Sequence, residues 1–182
     1  NRLKFKLRKS FTNEGTLYSE ESLFIITKSF VNQEDKQIGA MKDVYIETSD
    51  FANETKSIVF SQEGDIEVIS TSIDNQKATI HAGGILKLNS NNNINNQGGL
   101  LQAMDSTRES LIKCHEFVNS EQIETKIFIF RHDIITSPPG TLNIAGNCKL
   151  DCKLFHIGIV RIGGKIYNEK DNPFYIESKT IG

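Results

Sequence analysis

The stretch from Lys77 to Ala103 constrains the fold most, because short alternating runs of residues lie between turns rich in glycine and asparagine. In its first run Ala78, Ile80 and Ala82 point one way and the residues between them the other. Side chains alternate across a β-strand, so each run has one buried face and one wet face. No helix-period segment separates the runs. The stretch therefore predicts the coils of a β-solenoid rather than the strands of a βαβ sheet.

The pattern recurs at a spacing near twenty residues. Residues 64–68 and 84–88 begin twenty residues apart, as do the runs near Ile58 and Ala78. A repeat of this size is one turn of a β-helix, with two or three short strands joined by corners. The 182 residues suit one ordinary domain or one solenoid segment. We therefore expect an all-β chain, and asparagine side chains stacked at its corners.

The strand pattern breaks over residues 105–124. Four residues there stand at helical spacing: Leu111, Ile112, His115 and Val118. Asp105 or Ser106 suits a helix N-cap, and Glu109 is placed to complete a capping box. These features predict a short helical or loop insert, with a looped strand as the rival interpretation. Strand pattern resumes over residues 126–135.

The predicted organisation has three parts. Residues 1–103 form β-helix coils, residues 104–135 form an insert or irregular excursion that returns to strand, and residues 136–182 form further coils. The chain begins in strand-like sequence without an initiator methionine, so we expect a piece of a longer protein. The insert is the expected site of a variable surface contact.

Composition and motifs argue against several functional classes. A net charge of −2 gives no electrostatic attraction to nucleic acid or to an acidic membrane. No apolar run approaches the ~20 residues of a membrane-spanning helix. No phosphate-binding loop, metalloprotease or serine-hydrolase motif is present. We expect no enzymatic activity, no cofactor and no metal site.

The three cysteines, Cys114, Cys148 and Cys152, allow at most one disulfide, so the chain has no disulfide framework. Cys148, Cys152 and His156 share one strand parity, which is compatible with a metal or redox site. Residues four apart on one strand are ~13 Å apart, however, which is beyond disulfide reach. Inward-facing core thiols are the favoured interpretation, because free cysteine is among the most buried residue types.

Two local clusters are weak catalytic candidates. Residues 114–116 (Cys-His-Glu) offer a nucleophile and a base, but adjacent residues on a helix do not face each other and no oxyanion motif accompanies them. Residues 131–133 (Arg-His-Asp) are charged residues at the end of an apolar run, a pattern typical of a solvated strand edge. The acidic residues form no spaced pair typical of glycosidases.

The segment from Gly83 to Ala103, GGILKLNSNNNINNQGGLLQA, resembles the repeat of filamentous-haemagglutinin-type proteins. These are large secreted adhesins and contact-dependent toxin carriers of Gram-negative two-partner secretion. Their repeats often combine a Gly-x-Leu-x-Leu strand with an (I/L)-x-N-Q-G-G-x-(L/I)-x-(A/S) corner and strand. The matching positions are Gly84, Leu86, Leu88, Ile94, Asn96, Gln97, Gly98, Gly99, Leu101 and Ala103.

The resemblance implies a right-handed parallel β-helix that is secreted or held on the bacterial cell surface. It implies a rigid stalk for attachment to host or neighbouring cells, or for toxin presentation. The implied partners are a receptor or glycan on the other cell and an outer-membrane secretion partner. Gly98 and Gly99 suit a corner that needs positive φ.

Two other functions remain open from the sequence. A parallel β-helix enzyme acting on polysaccharide should carry a charged cluster in register over successive coils, and the sequence reveals none. A non-solenoid all-β binding module should have hairpin turns, but Asn-Gly and Asp-Gly pairs are absent.

Overall fold

Each strand pairs in parallel with a strand one turn of the chain away. The computed structural model describes residues 2–119, 140–156, 159–163, 166–167 and 176–177. Within these residues every helical or extended element is a strand. Ile66 pairs with Leu86, so the twenty-residue spacing is the length of one turn. The prediction of an all-β parallel solenoid is confirmed, and the right-handed sense of its winding stays a prediction.

The turns build three faces. The first face stacks the strands β1 (Leu3–Lys6), β4 (Leu23–Ile26), β7 (Val44–Glu47), β10 (Ile66–Ser70) and β13 (Leu86–Ser90). The second face stacks β2 (Ser10–Asn13), β5 (Ser29–Asn32), β8 (Asp50–Asn53), β11 (Ser72–Asp74) and β14 (Asn93–Asn95). The third face stacks β3 (Thr16–Ser19), β6 (Gln37–Ala40), β9 (Ile58–Ser61), β12 (Thr79–Ala82), β15 (Leu100–Ala103), β17 (Thr141–Ile144) and β19 (Ile159–Ile162).

Two longer strands continue across the corner between the first and second faces. They are β16 (Glu109–Val118) and β18 (Asn147–His156). β16 pairs with β13 and then with β14, and β18 pairs with β16 along its length. The short strands β20 (Ile166–Tyr167) and β21 (Ile176–Glu177) pair with β18.

The helical interpretation of residues 105–124 is wrong across its described part, because residues 109–118 are strand β16. Four of its side chains point inward: Ser110, Ile112, Cys114 and Phe117. The first three follow strand alternation, and the corner near His115 shifts the phase by one residue. The inward residues are therefore two, two and three positions apart, and of the four residues whose spacing predicted a helix Ile112 alone is buried.

Asp105 takes part in a bend rather than a helix. Its side chain accepts hydrogen bonds from the backbone amides of Thr107 at 2.8 Å and Arg108 at 3.1 Å. The expected capping residue therefore caps the bend that leads into β16. The strand predicted over residues 126–135 lies outside the described residues, as does the cluster at 131–133.

Inward side chains form continuous apolar rows along the solenoid. On the first face Leu23, Val44, Ile66 and Leu86 stack in register with at most 1% exposure. Full burial of one such side chain contributes about 1.5–3 kcal/mol. A row repeated in every turn therefore supplies a core without any layer of helices.

An aromatic row fills the core beneath the second face. The rings of Phe11 and Phe30 have centroids 5.7 Å apart and an interplanar angle of 3°. Phe30 and Phe51 follow at 4.9 Å and 10°. Ring pairs of this kind contribute about 0.5–1.5 kcal/mol beyond the area that they bury.

Candidate functional site

The ten residues of the repeat motif occupy one turn of the solenoid. That turn comprises the end of the corner before β13, then β13, β14, the next corner and β15. The apolar members point into the core, each with at most 1% exposure: Leu86, Leu88, Ile94, Leu101 and Ala103. The polar and glycine members lie at two corners of the turn, Gly84 before β13 and residues 96–99 between β14 and β15.

Asn96 belongs to a ladder of buried asparagine side chains that follows the corner between the second and third faces. Its members are Asn13, Asn32, Asn53, Asn75, Asn96 and Asn119. The side-chain Nδ2 of each member donates to the Oδ1 of the next, at 2.7–2.9 Å. Buried amides need such partners, because an unpaired one costs about 1–3 kcal/mol.

The ladder also satisfies backbone carbonyls at the corner. Asn96 Nδ2 donates to the carbonyl oxygens of Gly99 at 3.3 Å and Thr141 at 3.2 Å. Asn75 makes the equivalent bonds to Ala78 and Leu100 one turn earlier. The side chain thus joins its own turn to the following turn, which gives the motif asparagine a structural role.

Gln97 and Gly98 complete the corner. Gln76 Nε2 donates to Gln97 Oε1 at 2.9 Å, so the glutamines also stack from turn to turn. Gly98 has φ 64°, and the amide of Gly99 donates to the Asn96 carbonyl at 3.0 Å. A positive φ at the third position of such a turn favours glycine.

The corresponding corner position in earlier turns has positive φ without glycine. These residues are Asp35, Lys56 and Lys77, with φ of 60°, 60° and 54°. An L-residue in this conformation is strained by roughly 1–2 kcal/mol. Hydrogen bonds between successive turns hold the backbone of the corner in this conformation, whichever residue occupies the position.

Gly84 and Gly99 lie where neighbouring turns approach closely. A side chain on Gly84 would collide with the Asp65 carboxylate, and one on Gly99 with the Asn75 carbonyl oxygen. Asp65 is held in that place by Arg108, whose guanidinium donates to both carboxylate oxygens at 2.7 and 2.8 Å. Both glycines therefore permit stacking rather than bind a ligand.

The structure separates the other sequence candidates and brings two cysteines together. Cys148 is fully buried in the core, where burial raises the pKa of its thiol to about 12. Cys114 points inward whereas His115 is exposed, so residues 114–116 form no nucleophile and base pair. Cys114 and Cys152 pair in register on adjacent strands, with their Sγ atoms 3.1 Å apart. The side chain of His156 lies outside the described residues.

The outward side chains of the third face form a row across successive turns: Tyr18, Gly39, Phe60, His81 and Gln102. The rings of Tyr18 and Phe60 stack over Gly39, with centroids 6.0 Å apart and an interplanar angle of 19°. They meet because Gly39 has no side chain, and a Cβ there would lie 2.6 Å from the Phe60 ring. His81 Nδ1 lies 3.0 Å from Gln102 Oε1.

This third-face row combines an apolar patch with hydrogen-bonding groups. Tyr18 is 39% exposed, although it is a large aromatic residue. Aromatic side chains with a polar atom are enriched at protein contact surfaces, because one part is apolar and another forms hydrogen bonds. The sequence did not reveal the row, since its members stand about one turn apart and only the strand register aligns them.

A hollow on the second-face side collects acidic residues that the sequence did not bring together. Its lining includes Glu34, Glu54 and Asp74, and its volume is about 280 Å³. Burial raises the pKa of the Asp74 carboxyl above its ordinary value. Among the residues described, no three His, Cys, Asp or Glu side chains are placed to hold a metal ion.

The described part of the chain contains no helix that is long and apolar enough to cross a bilayer. Residues 53–102 match a family model described as the haemagglutinin repeat. No curated protein and no solved structure matches the chain significantly. The matched residues run from the end of β8 into β15 and include three members of the asparagine ladder, Asn53, Asn75 and Asn96.

Proposed function

We propose, because residues 53–102 match the haemagglutinin repeat, that this solenoid is a rigid segment of an adhesin of the filamentous haemagglutinin type. Proteins with this repeat are structural and adhesive, and they are typically secreted or surface-exposed. The segment holds a binding or toxin domain away from the cell, and an outer-membrane partner secretes the parent protein. The observation that carries the proposal is the match of residues 53–102, which hold strands β9 to β14 and most of β15, to the haemagglutinin repeat.

The geometry supports a stiff element. Each turn is joined to its neighbours by parallel ladders on three faces, by the apolar rows and by the asparagine ladder. In such a solenoid the stability is approximately a sum over turns and their interfaces. To bend the solenoid, the backbone hydrogen bonds between turns on one face must lengthen together. The segment therefore resists bending.

The third-face row is the surface that we assign to contact with a receptor or glycan of a host or neighbouring cell. The row is continuous over several turns, Tyr18 in it is exposed and Phe60 and His81 are half-buried, and it is more apolar than a strand face needs to be in water. The insert expected at residues 104–135 is a poorer choice in its described part, since β16 is a core strand. Deleting residues 105–124 would remove that strand, and loss of attachment would then report unfolding.

The test compares two double substitutions on different faces of the same chain. Beads coated with the Tyr18→Ala/Phe60→Ala variant should bind cells at least tenfold less than beads coated with the unchanged chain. The matched control is Phe24→Ala/Tyr45→Ala, which removes a tilted pair of rings on the first face and should leave attachment unchanged. Circular dichroism checks that both variants fold.

The outcomes separate the alternatives. Periodate treatment of the cells abolishes attachment if the partner is a glycan and leaves it intact if the partner is a protein. Equal loss in the two variants contradicts the assignment of the third-face row. Binding no greater than that of beads coated with an unrelated protein contradicts the adhesive function.

The acidic hollow is the observation that favours a second function, cleavage of polysaccharide. Asp74 lines this hollow together with Glu34 and Glu54, and carboxyl groups that share one hollow can serve as general acid and general base. Release of reducing ends from acidic or neutral glycans, abolished by Glu54→Gln and Asp74→Asn, would support it. Absence of release from a broad glycan panel would leave the hollow as a surface depression.

A further inference from the structure

We propose that Cys114 and Cys152 form a disulfide that covalently joins two successive turns of the solenoid. The two residues are direct partners in the parallel pairing of β16 with β18. Adjacent strands lie about 4.8 Å apart, and disulfide-bonded residues have Cα atoms about 4.4–6.8 Å apart. The backbone is therefore already at disulfide distance.

The side chains point toward one another. The two Sγ atoms are 3.1 Å apart, so bond formation at about 2.05 Å needs a movement of about 1 Å. Cys114 is 7% exposed and packs in the core, and Cys152 is half-buried against the same core. The movement is confined to side chains and leaves the strand register unchanged.

The position of this pair within the turn is distinctive. In earlier turns the equivalent corner position carries a hydroxyl residue: Thr27, Thr48, Ser70 and Ser90. Ser90 Oγ, for example, donates to the carbonyl oxygens of Thr71 and Asn93 at 2.9 and 3.0 Å. These hydroxyls satisfy backbone carbonyls at the corner. Cys114 and Cys152 replace them with weak hydrogen-bond donors that can bond to each other instead.

The reaction requires an oxidant, which we take to be a low-molecular-weight disulfide, RSSR. The Cys152 thiolate attacks one sulfur of RSSR, forms a mixed disulfide and releases RS⁻. The Cys114 thiolate then attacks Cys152 Sγ, forms the protein disulfide and releases the second RS⁻. The two protein thiols lose their protons to water and the two RS⁻ take up protons, so one RSSR is reduced to two RSH.

The order of attack follows from exposure and from charge. Cys152 is the more exposed thiol and meets the reagent first. Its hydrogen-bonding contact with Cys114, together with burial, raises the pKa of the Cys114 thiol well above its ordinary value. The contact with the Cys152 thiol is lost in the mixed disulfide, but burial continues to raise the pKa of Cys114. Since the thiolate is the nucleophile, the second step should be slow at neutral pH and accelerate as the pH rises.

The bond would close a loop of about forty residues, which includes residues 120–139. In the chain-entropy account, a loop of this length restricts the unfolded chain strongly. The environment of a secreted protein favours such bonds. The inference stands apart from the adhesive function, because it concerns only whether these turns become cross-linked.

The experiment incubates the full chain with oxidised glutathione under native conditions and counts free thiols before and after. Two of the three thiols should disappear, and the mass should fall by about 2 Da. Proteolysis should yield one cross-linked peptide pair containing Cys114 and Cys152, which dithiothreitol separates. The melting temperature of the oxidised chain should exceed that of the reduced chain, by up to roughly 10 °C.

Three single substitutions serve as variants and control. Cys148→Ala should lose both remaining thiols and keep the dithiothreitol-sensitive melting shift. Cys114→Ser and Cys152→Ser should yield no intramolecular cross-link and no such shift. Retention of all three thiols, a cross-linked peptide that contains Cys148, or equal melting temperatures for the oxidised and reduced chains would overturn the proposal.

Discussion

Asn75 and Asn96 are joined by a hydrogen bond of 2.8 Å between buried side-chain amides on successive turns. Asn75 also accepts a bond of 2.8 Å from Asn53, one turn earlier. The same side chain thus takes part in two rungs of the ladder and reaches the carbonyls of Ala78 and Leu100. Because the corner is buried, water cannot take the place of these hydrogen-bond partners, and their loss costs free energy of folding.

Asn75→Ala should therefore destabilise the chain by about 2–4 kcal/mol, since it removes the Asn75 acceptor from Asn53 Nδ2, which keeps only its bond to the Thr79 carbonyl oxygen, and the donor from Asn96 Oδ1. Urea unfolding followed by circular dichroism measures the change. The control is Asn91→Ala, which removes an exposed asparagine and should cost less than about 0.5 kcal/mol. Similar losses in the two variants would show that the ladder does not carry the stability assigned to it.

Phe30 occupies the middle of the aromatic row and is fully buried. Phe30→Ala should cost about 3–5 kcal/mol, because it opens a cavity between Phe11 and Phe51. Phe30→Leu retains most of the volume and should cost less than half as much. Thermal unfolding ranks the variants. A ranking in which leucine is as damaging as alanine would mean that ring stacking, rather than filled volume, dominates.

Gly98 and Lys77 occupy the same corner position with positive φ. Gly98→Ala should destabilise the chain by about 1 kcal/mol, because alanine is strained in this conformation. Lys77→Gly should stabilise it by about 0.5 kcal/mol, since relief of strain exceeds the added entropy of the unfolded chain.

The control for the lysine substitution is Lys87→Gly, in the middle of β13, which should destabilise by roughly 0.5–1 kcal/mol. Denaturant midpoints give all three values. Destabilisation by Lys77→Gly as large as that by Lys87→Gly would contradict the strain at the corner.

We expect the phenol of Tyr45 to ionise at a higher pH than an ordinary tyrosine. Burial and a hydrogen bond of 2.8 Å to Glu47 raise the pKa of its phenol to about 12. A raised pKa stabilises the fold below the ordinary value of 10, and this contribution is lost as the pH rises from 10 through 12. Ultraviolet titration should lose its last phenolate step in Tyr45→Phe. If the unchanged chain and Tyr45→Phe show the same last ionisation step, a different tyrosine has the raised pKa.

The regular part of the fold follows from the sequence because its interactions repeat. The pairing of Ile66 with Leu86 appears as equal spacing and equal alternation. The corner residues Asn96 and Gly98 have side-chain and backbone requirements that few other residues meet. In these turns local pattern and global stacking impose the same constraints, so the repeat motif identifies positions that the structure uses.

The irregular features depend on register across distant residues. Cys114 and Cys152 are separated by 37 residues, and the break in repeat length conceals that they are partners. The ring of Phe60 contacts that of Tyr18, which lies two turns earlier, across Gly39, and no sequence motif marks these positions. In β16 a corner shifts strand alternation by one residue, which breaks the period of two that identifies a strand in the sequence. The acidic hollow likewise gathers residues from three turns.

The asparagine ladder has a direction. In every rung the donor belongs to the earlier turn and the acceptor to the later one, from Asn13 to Asn119. The amide dipoles consequently add rather than cancel along the axis. A turn threaded in the opposite sense would set two acceptors or two donors face to face. Every turn from Asn13 to Asn96 therefore presents the same side-chain donor to the turn that follows it, so the ladder distinguishes the two ends of the solenoid.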